Sequence, residues 1–230
     1  MRRGEWGSGR MGKLVVIEGL DGSGKATQTR LLCEHLERRG ADFRKINFPD
    51  YDHPSSALVK LYLEGQMGGL EEINAFAASS FFSVDRYASY RMFWGQDYQN
   101  GRLIVADRYT TSNASHQTSK LPRKQWDAYL DWLEDFEYNR LGLPRPDCVI
   151  LLDMHPQTSR TLLLERYHGD ASKRDIHEAD YDYLLACRES ALYTAARMGW
   201  QVIRCCDGSN PFPIQQIAAQ VASAVDKILE

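Results

Sequence analysis

Gly19-Leu20-Asp21-Gly22-Ser23-Gly24-Lys25-Ala26 fits the phosphate-binding pattern G-x-x-x-x-G-K at its three defining positions. The chemistry open to such a stretch is the grip of a triphosphate such as ATP. Glycines let successive backbone N–H groups turn inward around the β- and γ-phosphates, a following helix adds the positive end of its dipole, and Lys25 brings a mobile charge. The next position departs from the pattern. Ala26 stands where a Ser or Thr hydroxyl normally reaches Mg²⁺, so water, the adjacent Thr27 or a nearby carboxylate must substitute. A glycine turn can also bind nothing, but the lysine and the surrounding strand-helix pattern favour phosphate.

Two further groups have reactive spacing. Leu103-Ile104-Val105-Ala106 runs into Asp107-Arg108, the form of a buried strand that delivers a carboxylate and a guanidinium to the crevice where α/β sheets bind ligands. There Asp107, with Asp21, could hold Mg²⁺ through water. Phe82 and Arg86 lie four apart, so on a helix a ring for stacking and a fork of donors for a carbonyl oxygen stand side by side. Taken alone, that pair reads as a core phenylalanine beside a solvated arginine.

The elements that must position these groups alternate. Leu14 to Ile17 is a short apolar run leading into the glycine turn, as in a strand buried on both faces, and from Ala26 the spacing becomes helical until Gly40. Further buried-strand candidates are Phe43 to Phe48, Leu103 to Ala106, Cys148 to Leu152 and Gln201 to Cys205, with helix-length segments between most of them. The alternation predicts a three-layer α/β domain of the P-loop NTPase class, with a parallel sheet of about five strands flanked by helices. Ile73, Ala77, Phe81, Val84 and Ala88 form one apolar stripe, and Ile214, Ile217, Ala218, Val221, Ala224, Val225 and Ile228 form another. Both are expected to be ordinary core packing.

Residues 1–11 are rich in Gly and Arg without periodicity and are expected to be a disordered extension, with 12–230 forming one domain. A net charge of -3 gives no basic field for nucleic acid. No apolar run reaches the roughly 20 residues that cross a bilayer, so no membrane partner is expected. The five cysteines are odd in number and contain no C-x-x-C pair, which fits a reducing cytoplasm.

Taken in order, these motifs resemble those of the thymidylate kinase family of P-loop nucleoside monophosphate kinases. The resemblance rests on Ile17 to Lys25, Phe48-Pro49, Phe82-Ser83-Val84-Asp85-Arg86-Tyr87, Asp107-Arg108-Tyr109 with Ser112-Asn113, and Leu151-Leu152-Asp153. It implies transfer of the γ-phosphoryl group of ATP, with Mg²⁺, to dTMP, and a homodimer. It assigns Phe82 and Arg86 to the thymine, Arg108 to the acceptor phosphate, Asn113 to the base or its surroundings, and Phe48-Pro49 to the loop beneath the acceptor. His116 and Gln117 follow on the same segment and join the acceptor group. His116 and His177 stand where many such kinases carry Tyr, and Asn47 where several carry Arg, which leaves the choice among dTMP, dUMP and analogues open.

Some kinases of this family carry an arginine within the glycine turn, but here that position is Gly22. The resemblance then implies that catalytic charge arrives from a lid at roughly 165–178, with Arg174 the first candidate and Lys173 and Arg166 its competitors. Two other readings stay open. A deoxynucleoside kinase would need a carboxylate base, whereas Phe48-Pro49 and Arg108 suit an acceptor that already carries a phosphate. A non-catalytic nucleotide switch would bind ATP tightly without transferring phosphate.

Overall fold

The computed structural model describes residues 11–166, 180–208 and 210–230, with only the backbone of 163–166 described. The candidate lid residues Lys173 and Arg174, the side chain of Arg166, His177 and residues 1–10 lie outside the described residues.

Among the described residues five strands build one parallel sheet: β1 Leu14–Gly19, β2 Phe43–Asn47, β3 Leu103–Asp107, β4 Cys148–Asp153 and β5 Gln201–Arg204. Their order is β2-β3-β1-β4-β5, with every neighbouring pair parallel. All six residues of β1 are buried, because alternate side chains pack on opposite faces. Val15 and Ile17 join Leu32 and Leu36 of α1 (Lys25–Arg38) and Ile217, Val221 and Val225 of the C-terminal helix Ile214–Leu229. Leu14 and Val16 join Ile46, Trp94, Ile104 and Tyr109 on the other face. These two apolar layers make the sheet the middle of three.

The strand order switches sides at β1: β2 and β3 lie to one side of it, β4 and β5 to the other. The register sets Ile17 opposite Asp107 and Gly19 opposite Leu152, so the glycine turn and the Asp107-Arg108 pair leave the same end of adjacent strands. That is the position where open α/β sheets form a ligand crevice.

The C-terminal stripe packs as expected through Ile217, Val221, Ala224 and Val225, which are buried, but its first member Ile214 is corrected to an exposed position at 55%. The stripe on α3 (Ala75–Ser89), the helix after α2 (Ala57–Leu63), does not pack in this way. Val84 is 51% exposed, while the buried face of α3 carries Ser79, Ser83, Asp85, Arg86 and Ser89 besides Ala75 and Ala78. The expectation of core packing for Val84 and its stripe is therefore corrected: α3 turns polar side chains inward because buried carboxylates and hydroxyls await them there. After α3 the chain passes through a π-helical turn, Tyr90–Trp94, into α4 (Gly95–Gln99), and a second π turn, Asp135–Arg140, follows the helix Trp126–Glu134.

Candidate active site

The phosphate turn is shaped by one glycine that nothing else could replace. A Cβ on Gly19, whose φ is +153°, would lie 2.6 Å from Ser23 Oγ and 2.9 Å from the Leu152 carbonyl oxygen. Gly24, at φ 87°, starts α1 without a side-chain cap, so the first N–H groups of the helix face the turn rather than a neighbouring side chain. Lys25 is folded back over the loop. Its Nζ donates to the Leu20 carbonyl at 2.9 Å and lies 3.7 Å from Asp21 Oδ1. Ala26 is exposed and Thr27 half-buried, whereas Ser23 is buried with its Oγ lacking a hydrogen-bond partner among the described residues.

Arg108 crosses from the end of β3 to meet this turn. It is the one non-glycine residue with positive φ (+67°) among the described residues, a conformation that costs on the order of 1–2 kcal/mol and needs surroundings that impose it. Its N–H is tied to the Ile17 carbonyl at 3.1 Å. Its Nη2 donates to Asp21 Oδ1 at 2.6 Å, and Nη1 to Ser112 Oγ at 3.0 Å, with His116 Nε2 at 3.3 Å. The same oxygen, Asp21 Oδ1, thus faces both Lys25 and Arg108.

Electrostatics follow from this convergence. Burial alone would raise the Asp21 carboxyl, but Arg108, Lys25 and His116 overcome it and hold Asp21 well below the usual carboxylate range. Burial and the nearby Arg108 push Lys25 down, against the opposing pull of Asp21, Asp107 and Glu18. The sequence reading missed Glu18. It is fully buried, accepts from Thr111 Oγ1 at 2.7 Å and Ser112 Oγ at 2.9 Å, and lies 3.5 Å from Arg108 Nη1. A carboxylate at the fifth position of an otherwise apolar strand was the signal that could have found it.

The acceptor candidates come together. Phe48, Pro49, Phe82 and Arg86 line a cleft with Arg108, Asn113, His116 and Gln117, and Asp21 borders it as well. The cleft is open to solvent and lined by both apolar rings and polar side chains. Phe82 is half-buried, with Tyr62 edge-on to its ring at 6.0 Å. Arg86 is not solvated at all: it is 1% exposed and paired through Nε (2.7 Å) and Nη2 to Glu137. Burial opposes its charge, but Glu137 prevails and raises the Arg86 pKa. Gln117 is buried, and its Oε1 has no hydrogen-bond partner among the described residues. Tyr51, Leu63, Tyr109 and Ser112 also line the cleft and were missed. The loop of Tyr51 is anchored by Asp50, whose N–H donates to Asp85 Oδ2 at 2.8 Å and whose carboxylate accepts from Ser89 Oγ at 2.9 Å.

Asp107 sits half-buried at the end of β3, near enough to Lys25 to act on its charge. Among the described residues no three His, Cys, Asp or Glu side chains gather into a metal cage. Two carboxylates at the rim of a phosphate turn nevertheless suit Mg²⁺, which keeps several waters and takes most remaining ligands from a nucleotide.

Three comparisons bear on this geometry. The sequence model of the family described as "Thymidylate kinase" matches residues 17–211. The thymidylate kinase of Mycobacterium tuberculosis (strain ATCC 25618 / H37Rv) is 31% identical over 196 residues, covering 81% of this chain and 87% of that protein. A probable thymidylate kinase of Thermococcus gammatolerans is 31% identical over 170 residues, covering 72% of this chain and 74% of its own length. A solved structure of thymidylate kinase from Candida albicans superposes with a TM-score of 0.67 over 95% of this chain and 92% of that one; at 23% identity it speaks for the fold.

Proposed function

The chain belongs to the thymidylate kinase family and phosphorylates dTMP to dTDP with ATP, and from that premise we propose how its own residues do so. The observation that carries the proposal is the shared oxygen: Lys25 and Arg108 both face Asp21 Oδ1, so a donor phosphate on one side and an acceptor phosphate on the other meet at a single point. Phosphoryl transfer asks mainly for alignment and charge neutralisation, which two cations at one point supply.

On this assignment the turn Gly19-Leu20-Asp21-Gly22-Ser23-Gly24-Lys25, with Ala26 and Thr27, takes the ATP phosphates. Arg108 takes the acceptor phosphate by its planar fork, while Asp21 orders both cations until phosphates replace it. Phe82 stacks on the thymine, Arg86 donates to a ring carbonyl, and Asn113 completes the base contact. Phe48 and Pro49 floor the site, and His116 and Gln117 close its sugar side. Asp107 and Asp21 would hold Mg²⁺ through water. Bound there, the ion would screen the charge of the phosphate chain. Arg174, with Lys173 and Arg166, is proposed to bring further positive charge as a lid; Arg174→Ala should lower kcat about tenfold or more with dTMP affinity retained, and unchanged turnover would remove the assignment.

A coupled assay of ADP release with ATP-Mg²⁺ alone, with dTMP and with thymidine tests the reaction. Release that depends on dTMP is expected. Turnover on thymidine, or nucleotide binding without any transfer, would overturn it.

We also propose a cytoplasmic homodimer. All five cysteines are free thiols, which suits a reducing compartment. The outward face of α3 presents Phe76 (43% exposed), Val84 and Tyr87, continued by Met92 (64% exposed) and by Leu58 and Leu61 of the helix Ala57–Leu63. An apolar face of this kind rests best against a second copy of itself. Val84→Asp is expected to shift the sedimentation coefficient from dimer to monomer at micromolar concentration. A variant that sediments like wild type would argue against this face.

A further inference from the structure

The base-reading residues Arg86 and Asn113 lie on different helices, α3 and α5 (Thr110–His116), and both are bound to one carboxylate. Glu137 is fully buried in the second π turn, a helical irregularity that often marks a functional position. Its Oε1 accepts from Asn113 Nδ2 at 3.1 Å, Ser83 Oγ at 2.9 Å and Arg86 Nη2. Its Oε2 accepts from Arg86 Nε at 2.7 Å and Thr110 Oγ1 at 2.9 Å.

These bonds decide what is left for a ligand. Asn113 Nδ2 has two N–H groups, one given to Glu137 and the other to the Ser79 carbonyl at 3.2 Å. A carboxylate and a carbonyl only accept, so the amide cannot turn, and Asn113 can offer the cleft only its Oδ1. Arg86 spends Nε and one N–H of Nη2 on Glu137, and one of Nη1 on the Tyr109 carbonyl at 3.4 Å. Of the five donors on a guanidinium, two remain. The pair therefore presents donors beside a lone acceptor.

We infer that Glu137 is a positioning residue that sets pyrimidine choice: by fixing the Asn113 amide and the Arg86 fork together, it admits a base edge with a ring carbonyl beside a ring N–H and rejects a 4-amino pyrimidine. An amino group would meet the Arg86 donors, and the bare ring nitrogen would meet Asn113 Oδ1. Mismatched polar groups in a buried site are a strong source of rejection. The inference rests on the proposed placement of the base against Arg86 and Asn113.

The test is steady-state kinetics with dTMP and dCMP on the full chain, for wild type, Glu137→Gln, Thr110→Val and Arg86→Ala. Glu137→Gln keeps the shape but introduces a donor that faces other donors, leaving the Asn113 amide free to turn. It should raise the KM for dTMP about tenfold or more and lower the dTMP-to-dCMP ratio of kcat/KM by a similar factor. The KM for ATP should be unchanged and kcat within about threefold. Thr110→Val removes one of the hydrogen bonds at little steric cost and should move KM and ratio the same way by about two- to fivefold. If Glu137→Gln does not fold, Thr110→Val decides alone. Unchanged KM for dTMP and unchanged ratio in the folded variants overturn the inference, as does an equal rise in both substrates' KM, the mark of a merely structural role. Arg86→Ala separates the two levels: if it leaves the KM for dTMP unaltered, the base placement itself is wrong, whereas a raised KM there with silent Glu137→Gln and Thr110→Val sinks only the positioning role.

Discussion

Arg108→Ala should lower kcat/KM for dTMP by roughly a thousandfold, the scale at which arginines act on a phosphoryl group in transit. The prediction follows from how much converges on this side chain. Arg108 is held in a left-handed backbone conformation, its fork meets Asp21 and Ser112, and its neighbour Glu18 is buried behind it. Nothing else on the described part of the cleft lining carries a guanidinium except Arg86, which is committed to Glu137. Arg108→Lys distinguishes charge from shape. A point charge on a flexible stem cannot hold two oxygens at fixed angles, so it should recover only a minor part of the loss. Stopped-time ADP assays across dTMP concentrations measure both variants. A full recovery by lysine would mean that the fork plays no part.

Lys25→Ala is expected to reduce kcat by about a hundredfold or more while the far-ultraviolet circular dichroism stays that of wild type. Its contacts explain the contrast. Lys25 touches the Leu20 carbonyl and approaches Asp21, both within the turn, and joins neither apolar layer of the sheet. The protection that ATP gives against thermal unfolding should shrink as well, since ligand stabilisation scales with affinity. Undiminished turnover in this variant would detach the lysine from the reaction.

Most of the frame was legible because buried parallel strands are simple objects. Four-to-six-residue apolar runs ending in glycine or aspartate fell where β1, β3 and β4 lie, and β2 ended one residue earlier than read, at Asn47. The acceptor candidates, scattered in sequence, meet in space: every one of them borders the cleft. Helix α3 was misread for a physical reason. Periodicity reports that a helix has two unlike faces but not which one points inward, and here Arg86 and Ser83 point inward to a charge 54 or fewer positions away. Glu137 itself stands within Glu134-Asp135-Phe136-Glu137, an acidic stretch that looks solvated in sequence. Its spacing continues the buried stripe of Trp126, Tyr129, Leu130 and Leu133, so position 137 falls on the inward face, where the carboxylate meets Arg86.

Asp21 is a tethered counter-ion for Lys25 and Arg108. Because its carboxylate already sits between the two cations, stray chloride, sulfate or inorganic phosphate finds no bare positive hole to fill, and a ligand must trade places with a tethered rival. Affinity is lost in that exchange, and discrimination against bystander anions is gained.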